Sequence, residues 1–391
     1  MRFPEFSGEW REKYLGQIAE IIKSHGISKE QLSAKGSPCI LYGELYTKYK
    51  FEIINDIYSK TTLNSSRLVK SQANDVIIPC SGETAIDIST ARCVPYNNIL
   101  LGGDLNIIRL QSQDGGFFAY QLNGVRKREI ACIAQGVSVV HLYGENLRKI
   151  KVYYPSIEEQ RKITSLLLLI DKRIATQNKI IEKYESLIQA IIYRKKVDGM
   201  HNGNWQKTEL SKVLKERYEK NTDGHVVCSV SVSQGVVNQI EYLGRSFAAK
   251  ETSHYNVVNY GDIVYTKSPT GNFPYGIVKR SCIQNAVAVS PLYGVYKPVS
   301  DSIGVILHFY FMQPNHAFNY LHPLIQKGAK NTINITNTRF LENSIPLPKT
   351  EHEAVCIANA LTGIQRKIEI EKNLLCLYEK EKQHLLGQMF I

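Results

Sequence analysis

Between Ile163 and Ile191 the chain places apolar residues at alternating steps of four and three. The positions are Ile163, Leu167, Ile170, Ile174, Gln177, Ile181, Tyr184, Ile188 and Ile191, and only Gln177 breaks the stripe. A repeat of 3.5 residues keeps one helix face turned toward a partner helix, which predicts a coiled coil. Ser156, with Glu159 three residues on, predicts a capping box, so the helix opens just after Pro155. It is expected to run to about Lys196, with Arg194-Lys195-Lys196 complementing the dipole at its end. From Ile163 to Ile192 such a rod is about 45 Å long at 1.5 Å per residue. The polar run Lys195 to Asn204 reads as a linker. The stripe returns near the C-terminus as Ile357, Leu361, Ile364, Ile368, Glu371, Leu375, Tyr378, Lys382 and Leu385, with two charged interruptions. Each helix is the natural partner of the other, and Gln177 opposite Glu371 or Lys382 would fix their register.

The stretches before the two helices have a different texture. Short apolar runs such as Ile99-Leu100-Leu101, Leu105 to Leu110, Ala286 to Val289 and Val305 to Phe311 are broken by Gly, Asn, Ser and Asp. They predict α+β domains with many short strands. Parts of the frame are written twice. Trp10 and Trp205, the chain's two tryptophans, sit in matching surroundings. Asn74-Asp75-Val76-Ile77-Ile78 matches Gly261-Asp262-Ile263-Val264-Tyr265, and Ile133 to Gly136 matches Ile325 to Gly328. Ile170-Asp171-Lys172-Arg173-Ile174 matches Ile364-Gln365-Arg366-Lys367-Ile368. Between these anchors the halves are dissimilar. The expected architecture is therefore a pseudo-twofold repeat. A globular domain (1–154), a helix (155–197), a second globular domain (198–347) and a second helix (348–391) follow in order, the helices forming an intramolecular antiparallel coiled coil.

Composition narrows the class. Of 391 residues, 43% are hydrophobic and 21% charged, as in a globular protein. No apolar run approaches the roughly 20 residues a bilayer span needs, and the N-terminus lacks the apolar core of a secretory signal, so no membrane partner is expected. The eight cysteines are scattered without a C-x-x-C pair, which fits reduced thiols in a cytoplasm. The net charge of +12 is spread over both halves, as suits a polyanionic partner such as DNA. Catalytic signatures are missing: there is no phosphate loop, no dinucleotide fingerprint and no amino-methyltransferase motif. His352 and Cys356 share a helix face but lack the second pair a zinc site needs. No catalytic residue, metal site or cofactor is therefore expected in this chain.

The helix opening Pro155-Ser156-Ile157-Glu158-Glu159-Gln160-Arg161-Lys162-Ile163, its weaker copy Pro346 to Glu353, the glycine-led run Gly136 to Val152 with its counterpart Gly328 to Ile345, and Tyr260-Gly261-Asp262-Ile263-Val264 together resemble the DNA-specificity subunit of type I restriction–modification systems. The resemblance implies two target-recognition domains, each reading half of a bipartite site in double-stranded DNA. It implies docking of methyltransferase (modification) subunits, two in number, and of restriction endonuclease subunits, which would hold S-adenosylmethionine and ATP. It implies a bacterial or archaeal cytoplasm. In the second helix Glu353-Ala354 stands where the pattern has Gln-Arg, which puts that docking face in doubt. A rod of about 45 Å corresponds to roughly 13 base pairs at 3.4 Å each, an upper bound on half-site spacing.

Candidate DNA contacts follow from side-chain chemistry. Lys, Arg and Asn suit base edges, while Ser, Thr and Tyr suit phosphates. In the second domain these are Lys267, Ser268, Thr270, Asn272 and Tyr275, then Lys279 and Arg280, then Lys327, Lys330 and Asn331. In the first they are Ser81, Glu83, Thr84 and Arg92, the basic cluster Arg126-Lys127-Arg128, and Gln135 and Ser138. An ordinary solvated turn or helix face accounts for each one singly about as well. A second reading of the whole chain is a coiled-coil scaffold that binds proteins and carries its positive charge incidentally.

Overall fold

β-branched runs build the centre of the first half. Val76, Ile77 and Ile78 on the strand Asp75–Pro79 and Ile107 and Ile108 on Leu105–Leu110 are fully buried. Because side chains alternate across a strand, the two faces supply two cores. Val76, Ile78 and Ile108 join Phe117, Leu122, Ile163 and Leu167, while Ile77 and Ile107 join Ile40, Leu45, Tyr49 and Ile54. The computed structural model describes residues 2–245, 251–327 and 333–390. It is a mixed helix and sheet protein that divides into two compact units, residues 1–178 with 373–391, and residues 179–372. No helix among the described residues is long and apolar enough to cross a membrane.

The two units repeat one topology. In the first, a four-stranded antiparallel sheet runs Ala19–Lys23, Leu105–Leu110, Asp75–Pro79, Arg92–Val94. In the second the order is Leu214–Glu216, Gly294–Pro298, Ile263–Tyr265, Val278–Arg280. Taken in chain order, both sheets read first, fourth, second, third. Two helices follow each sheet: Gly115–Asn123 and Lys127–Cys132, or Asp301–Phe311 and Pro314–Leu321. A hairpin comes next, Gln135 pairing His141 in one unit and Gln326 pairing Asn334 in the other. Each unit is then closed by a strand laid on its own opening strand: Lys151–Tyr154 on Arg11–Tyr14, and Ser344–Pro348 on Trp205–Glu209. The segments following Trp10 and Trp205 are thus strands.

The matched Asn-Asp and Gly-Asp dipeptides have a structural reason. Asn74 and Gly261 both adopt positive φ (84° and 88°). Asp75 and Asp262 are both buried, and each accepts from the backbone N–H three residues back, Gln72 or Asn259, at 2.8 Å. Each also binds an arginine through two nitrogens, Arg109 (3.0 and 2.9 Å) or Arg217 (2.7 and 3.1 Å). Charge-assisted bidentate pairs of this kind fix the strand they precede.

The first long helix spans Ile157–His201 and the second Glu351–Met389. The expected linker from Lys195 is therefore helical as far as His201, and Arg194-Lys195-Lys196 are not at a helix end. Gly199 accounts for the extension: a Cβ there would lie 2.0 Å from the Trp205 ring, so the glycine lets the returning chain pack closely. The expected capping box is half made. Ser156 Oγ accepts from Glu159 N–H at 3.4 Å, but the buried Glu159 carboxylate takes two 2.7 Å bonds from Arg2. In the second helix Thr350 Oγ1 accepts from Glu353 N–H at 3.3 Å, and Glu353 accepts from Trp205 Nε1 at 3.0 Å. Glu353 is thus the counterpart of Glu159, and the buried Ala354 that of the buried Gln160, one residue away from the register expected on sequence.

In the first unit Ile163, Leu167, Ile170 and Ile174 share a core with Leu385, Leu386, Met389 and Phe390, and Leu375 and Tyr378 pack against it. In the second unit Ile181, Ile188, Ile357, Leu361 and Ile368 are buried, while Tyr184 and Ile364 are half-buried. There Lys372 Nζ lies 3.1 Å from Glu185, and Lys367 sits over the Tyr184 ring at 6.0 Å. Each unit therefore holds an early segment of one helix beside a late segment of the other, which is antiparallel pairing. The buried Lys382 answers Asp171 (2.7 Å) and Glu52 (2.6 Å), and Tyr120 donates to Asp171 at 2.6 Å. Its register role is thus played against two carboxylates. Burial raises the Asp171 carboxyl above the usual range, opposed by Lys382.

Candidate nucleic-acid interface

In the first unit the connection after the strand Asp75–Pro79 comes together with the hairpin before the closing strand, while in the second the connection after the counterpart strand Ile263–Tyr265 packs on the helix Pro314–Leu321. In the first unit Ser81 and Gly82 pair directly with His141 and Val140 of the hairpin. The short helix Ala85–Ile88, opened by Thr84, packs on that strand pair and on the helix Lys127–Cys132. Glu83, Thr84, Arg128, Gln135 and Ser138 are all exposed there. Ser81 is buried and donates to Asp104 at 2.9 Å. Thr84 is a helix cap, its Oγ1 accepting from Asp87 N–H at 3.1 Å and donating to Asp87 Oδ2 at 2.6 Å.

In the second unit residues 267 to 276 form a loop clamped at its base, where Thr266 N–H donates to Ile277 O and Ile277 N–H to Thr266 Oγ1, both at 3.1 Å. Thr270 and Phe273 close a turn inside it through two 3.0 Å bonds, and the buried Phe273 anchors the loop. Ser268, Thr270 and Asn272 are left exposed, while Lys267 and Tyr275 are half-buried. Burial lowers the Lys267 ammonium below its ordinary value. Tyr275 packs on Phe318 and His322, whose rings stack at 5.1 Å. Phe318 and His322 precede in the chain the hairpin that begins at Gln326. They are not among the sequence candidates, and their spacing of four, with His322 just past the end of the helix that carries Phe318, is the signal that could have found them. Lys330 and Asn331 lie outside the described residues, as does the side chain of Lys327.

Other candidates are taken up by the fold. Arg92 is buried, and its guanidinium donates to the carbonyls of Leu45 (3.1 Å), Ala91 (3.2 Å) and Tyr49 (2.8 Å). Lys279 and Arg280 are buried on their strand. Arg280 stacks on Tyr260 at 4.7 Å and pairs with Asp301, and burial pushes the Lys279 ammonium down to about 8. These three are framework, not DNA contacts, because a strand next to the core turns its charges inward wherever carbonyls or carboxylates wait for them. In the basic cluster Arg126 lies over the Tyr153 ring at 4.9 Å, and the half-buried Lys127 donates to Thr90 Oγ1 at 3.4 Å. Only Arg128 of that cluster is exposed. A neighbouring cleft of about 840 Å³ is lined by Lys23, His25, Lys29 and Lys48. Lys23 pairs with Asp104 (3.2 Å) and Lys48 with Glu44 (2.6 Å), so its basic character is largely neutralised.

Residues 7–186 match the family described as Type I restriction modification DNA specificity domain. The whole chain has the fold of the specificity, or S, subunits of those systems. It covers 100% of itself and 99% of the S subunit of a type I restriction–modification system from M. genitalium, at a TM-score of 0.65 and 12% identity. It also covers 98% of itself and 98% of a chain solved in a study of complex assembly and conformational transition of the type I R-M system, at a TM-score of 0.52 and 13% identity.

Proposed function

We propose that each unit reads half of a bipartite sequence in double-stranded DNA, through its post-strand connection and its hairpin. The chain is a specificity subunit, non-catalytic, and it acts with the other subunits of a type I restriction–modification complex. The observation that carries the reading is the combination of one repeated frame with unlike loops at the same two places. A repeated frame presents its loops in the same way twice, and unlike loops let each presentation read different bases. The exposed residues Glu83, Thr84, Arg128, Gln135 and Ser138 in one unit, and the exposed Ser268, Thr270 and Asn272 with the half-buried Tyr275 in the other, are the side chains assigned to that contact. Two methyltransferase subunits supply S-adenosylmethionine chemistry and a restriction subunit supplies ATP-driven cleavage, in a bacterial or archaeal cytoplasm. Purified chain combined with its methyltransferase should modify duplexes that carry a split sequence and leave duplexes with either half alone unmodified. Modification of a continuous site would overturn the bipartite reading.

A further inference from the structure

The hairpin of the first unit carries apolar side chains outward. Val137 is 97% exposed, Val139 52% and Tyr143 53%. Exposed apolar residues scattered singly are ordinary, but these three fall within one short stretch, beside the loop assigned to DNA. The stretch is also rigid. Gln135 N–H donates to His141 O at 2.9 Å, and His141 N–H donates back to Gln135 O at 2.7 Å. Val140 and His141 are tied to Gly82 and Ser81. Gly136 has φ 122°, and a Cβ on it would lie 2.1 Å from the Val139 carbonyl oxygen, so the tip has one shape and needs glycine to hold it. His141 and Tyr143 stack at 6.2 Å along the returning arm.

A valine side chain offers neither donor nor acceptor, so it cannot read the hydrogen-bonding pattern of a base pair. It can match the one apolar feature of the major groove, the C5 methyl of thymine. Side chains that wedge between base steps are typically longer, such as Phe, Leu, Ile or Met, and valine is short and branched. In the second half the sequence between the paired strands Gln326–Lys327 and Ile333–Asn334 is Gly328-Ala329-Lys330-Asn331-Thr332, with a lysine, an asparagine and a threonine in place of the valines. The two sequences therefore differ in the chemistry they offer. We infer that Val137 and Val139 read thymine methyl groups in the half-site bound by the first unit, an inference that rests on the DNA-reading function proposed above.

The test uses the complete methyltransferase complex and duplexes carrying its recognised site. Each thymine of both half-sites is replaced singly by deoxyuridine, which removes one methyl and keeps the pairing. Loss of one buried methyl corresponds to about fourfold weaker binding. That loss is expected at one or two positions, all in one half-site, and it should vanish in a complex bearing Val137→Ala and Val139→Ala. Deoxyuridine that is neutral everywhere, a penalty that persists in the double variant, or a half-site pair in which neither half contains thymine would each overturn the inference. So would 2-aminopurine fluorescence that rises on binding at a step beside the tip and falls back in the variant, since that reports insertion between bases. In all of these the complex still binds its site; a complex that binds no split site defeats the DNA-reading function itself.

Discussion

Lys279 carries its charge into the interior on the strand Val278–Arg280, where it is 3% exposed. Burial alone accounts for its ammonium titrating at about 8 in place of the ordinary 10.5. Between those values the folded chain binds fewer protons than the unfolded chain, so stability rises with pH across that window. Below about pH 8 the full penalty is present. Lys279→Met should therefore stabilise the protein at pH 7, by on the order of 3 kcal/mol if the whole shift is recovered. It should also flatten the rise in stability above pH 8. Denaturant unfolding at pH 7 and pH 10 measures both, and a variant less stable than the parent at pH 7 would refute the account. The same residue shows why site reading from sequence is limited. Arg92, Lys279 and Arg280 look like DNA contacts because they are basic and follow a strand. What removes them is tertiary: three backbone carbonyls around Arg92, an aspartate and a tyrosine ring around Arg280, and a dry strand position for Lys279. Apart from the neighbouring Ala91 carbonyl, none of these surroundings is local in sequence. Ser268, Thr270 and Asn272, by contrast, sit in a polar loop whose exposure follows from its composition.

The two long helices were legible because a 3.5-residue apolar period sustained over several turns fits little besides a coiled coil. Their limits were not, because a contact outside the helix sets one of them. Gly199 lies in the polar run read as a linker, but Trp205 packs on it and the helix runs on to His201. This reverses the usual effect of replacing a helical glycine. Gly199→Ala gains helix propensity of up to about 1 kcal/mol. It also forces a Cβ to within 2.0 Å of the Trp205 ring, and overpacking of that kind typically costs about 1–3 kcal/mol. The net result should be destabilisation. Gly363 and Gly387, on the second long helix, have open space at the Cβ position, so Gly363→Ala and Gly387→Ala should each stabilise by roughly 0.5–1 kcal/mol. Thermal unfolding of the three variants side by side decides the matter. If Gly199→Ala stabilises as much as the other two, the Trp205 contact does not set the end of the helix. The register of the helices was also only partly readable. Lys382 breaks the apolar stripe in sequence, and its two carboxylate partners come from Asp171 on the other helix and from Glu52 in the globular part of the same unit.

Across the whole chain, duplication was visible at its anchors: the tryptophans, the Asn-Asp and Gly-Asp turns, and the hairpin glutamines. The structure shows why those points keep their likeness. They are the opening strands, the buried aspartates that hold an arginine, and the base of each hairpin, all of which serve the frame. The sheet order common to both units was hidden, since strands with the same place in a sheet need only similar apolarity. The segments between the first and second sheet strands diverge most. The first unit builds a further sheet there from Leu32–Ser33, Ser37–Ile40 and Ser59–Thr61, joined by Leu100–Leu101 from beyond the third strand, where the second has the hairpin Cys228–Ser231 with Gly235–Asn238. A common frame with divergent additions suits two readers of different sequences, but it would equally suit two docking surfaces for proteins. Salt distinguishes these, because each phosphate neutralised by a cation releases counterions and steepens the fall of affinity with salt. A duplex held by four or more phosphate contacts should bind about a hundredfold more weakly when salt rises from roughly 50 to 200 mM. A protein-binding scaffold with incidental positive charge should bind DNA weakly and show little dependence on sequence at any salt. Anisotropy titrations of the complex against specific and scrambled duplexes over that range measure both terms at once. Specific binding that keeps its advantage over scrambled DNA as both weaken places sequence reading on top of phosphate contact. Equal affinity for the two duplexes at every salt concentration would leave only the scaffold.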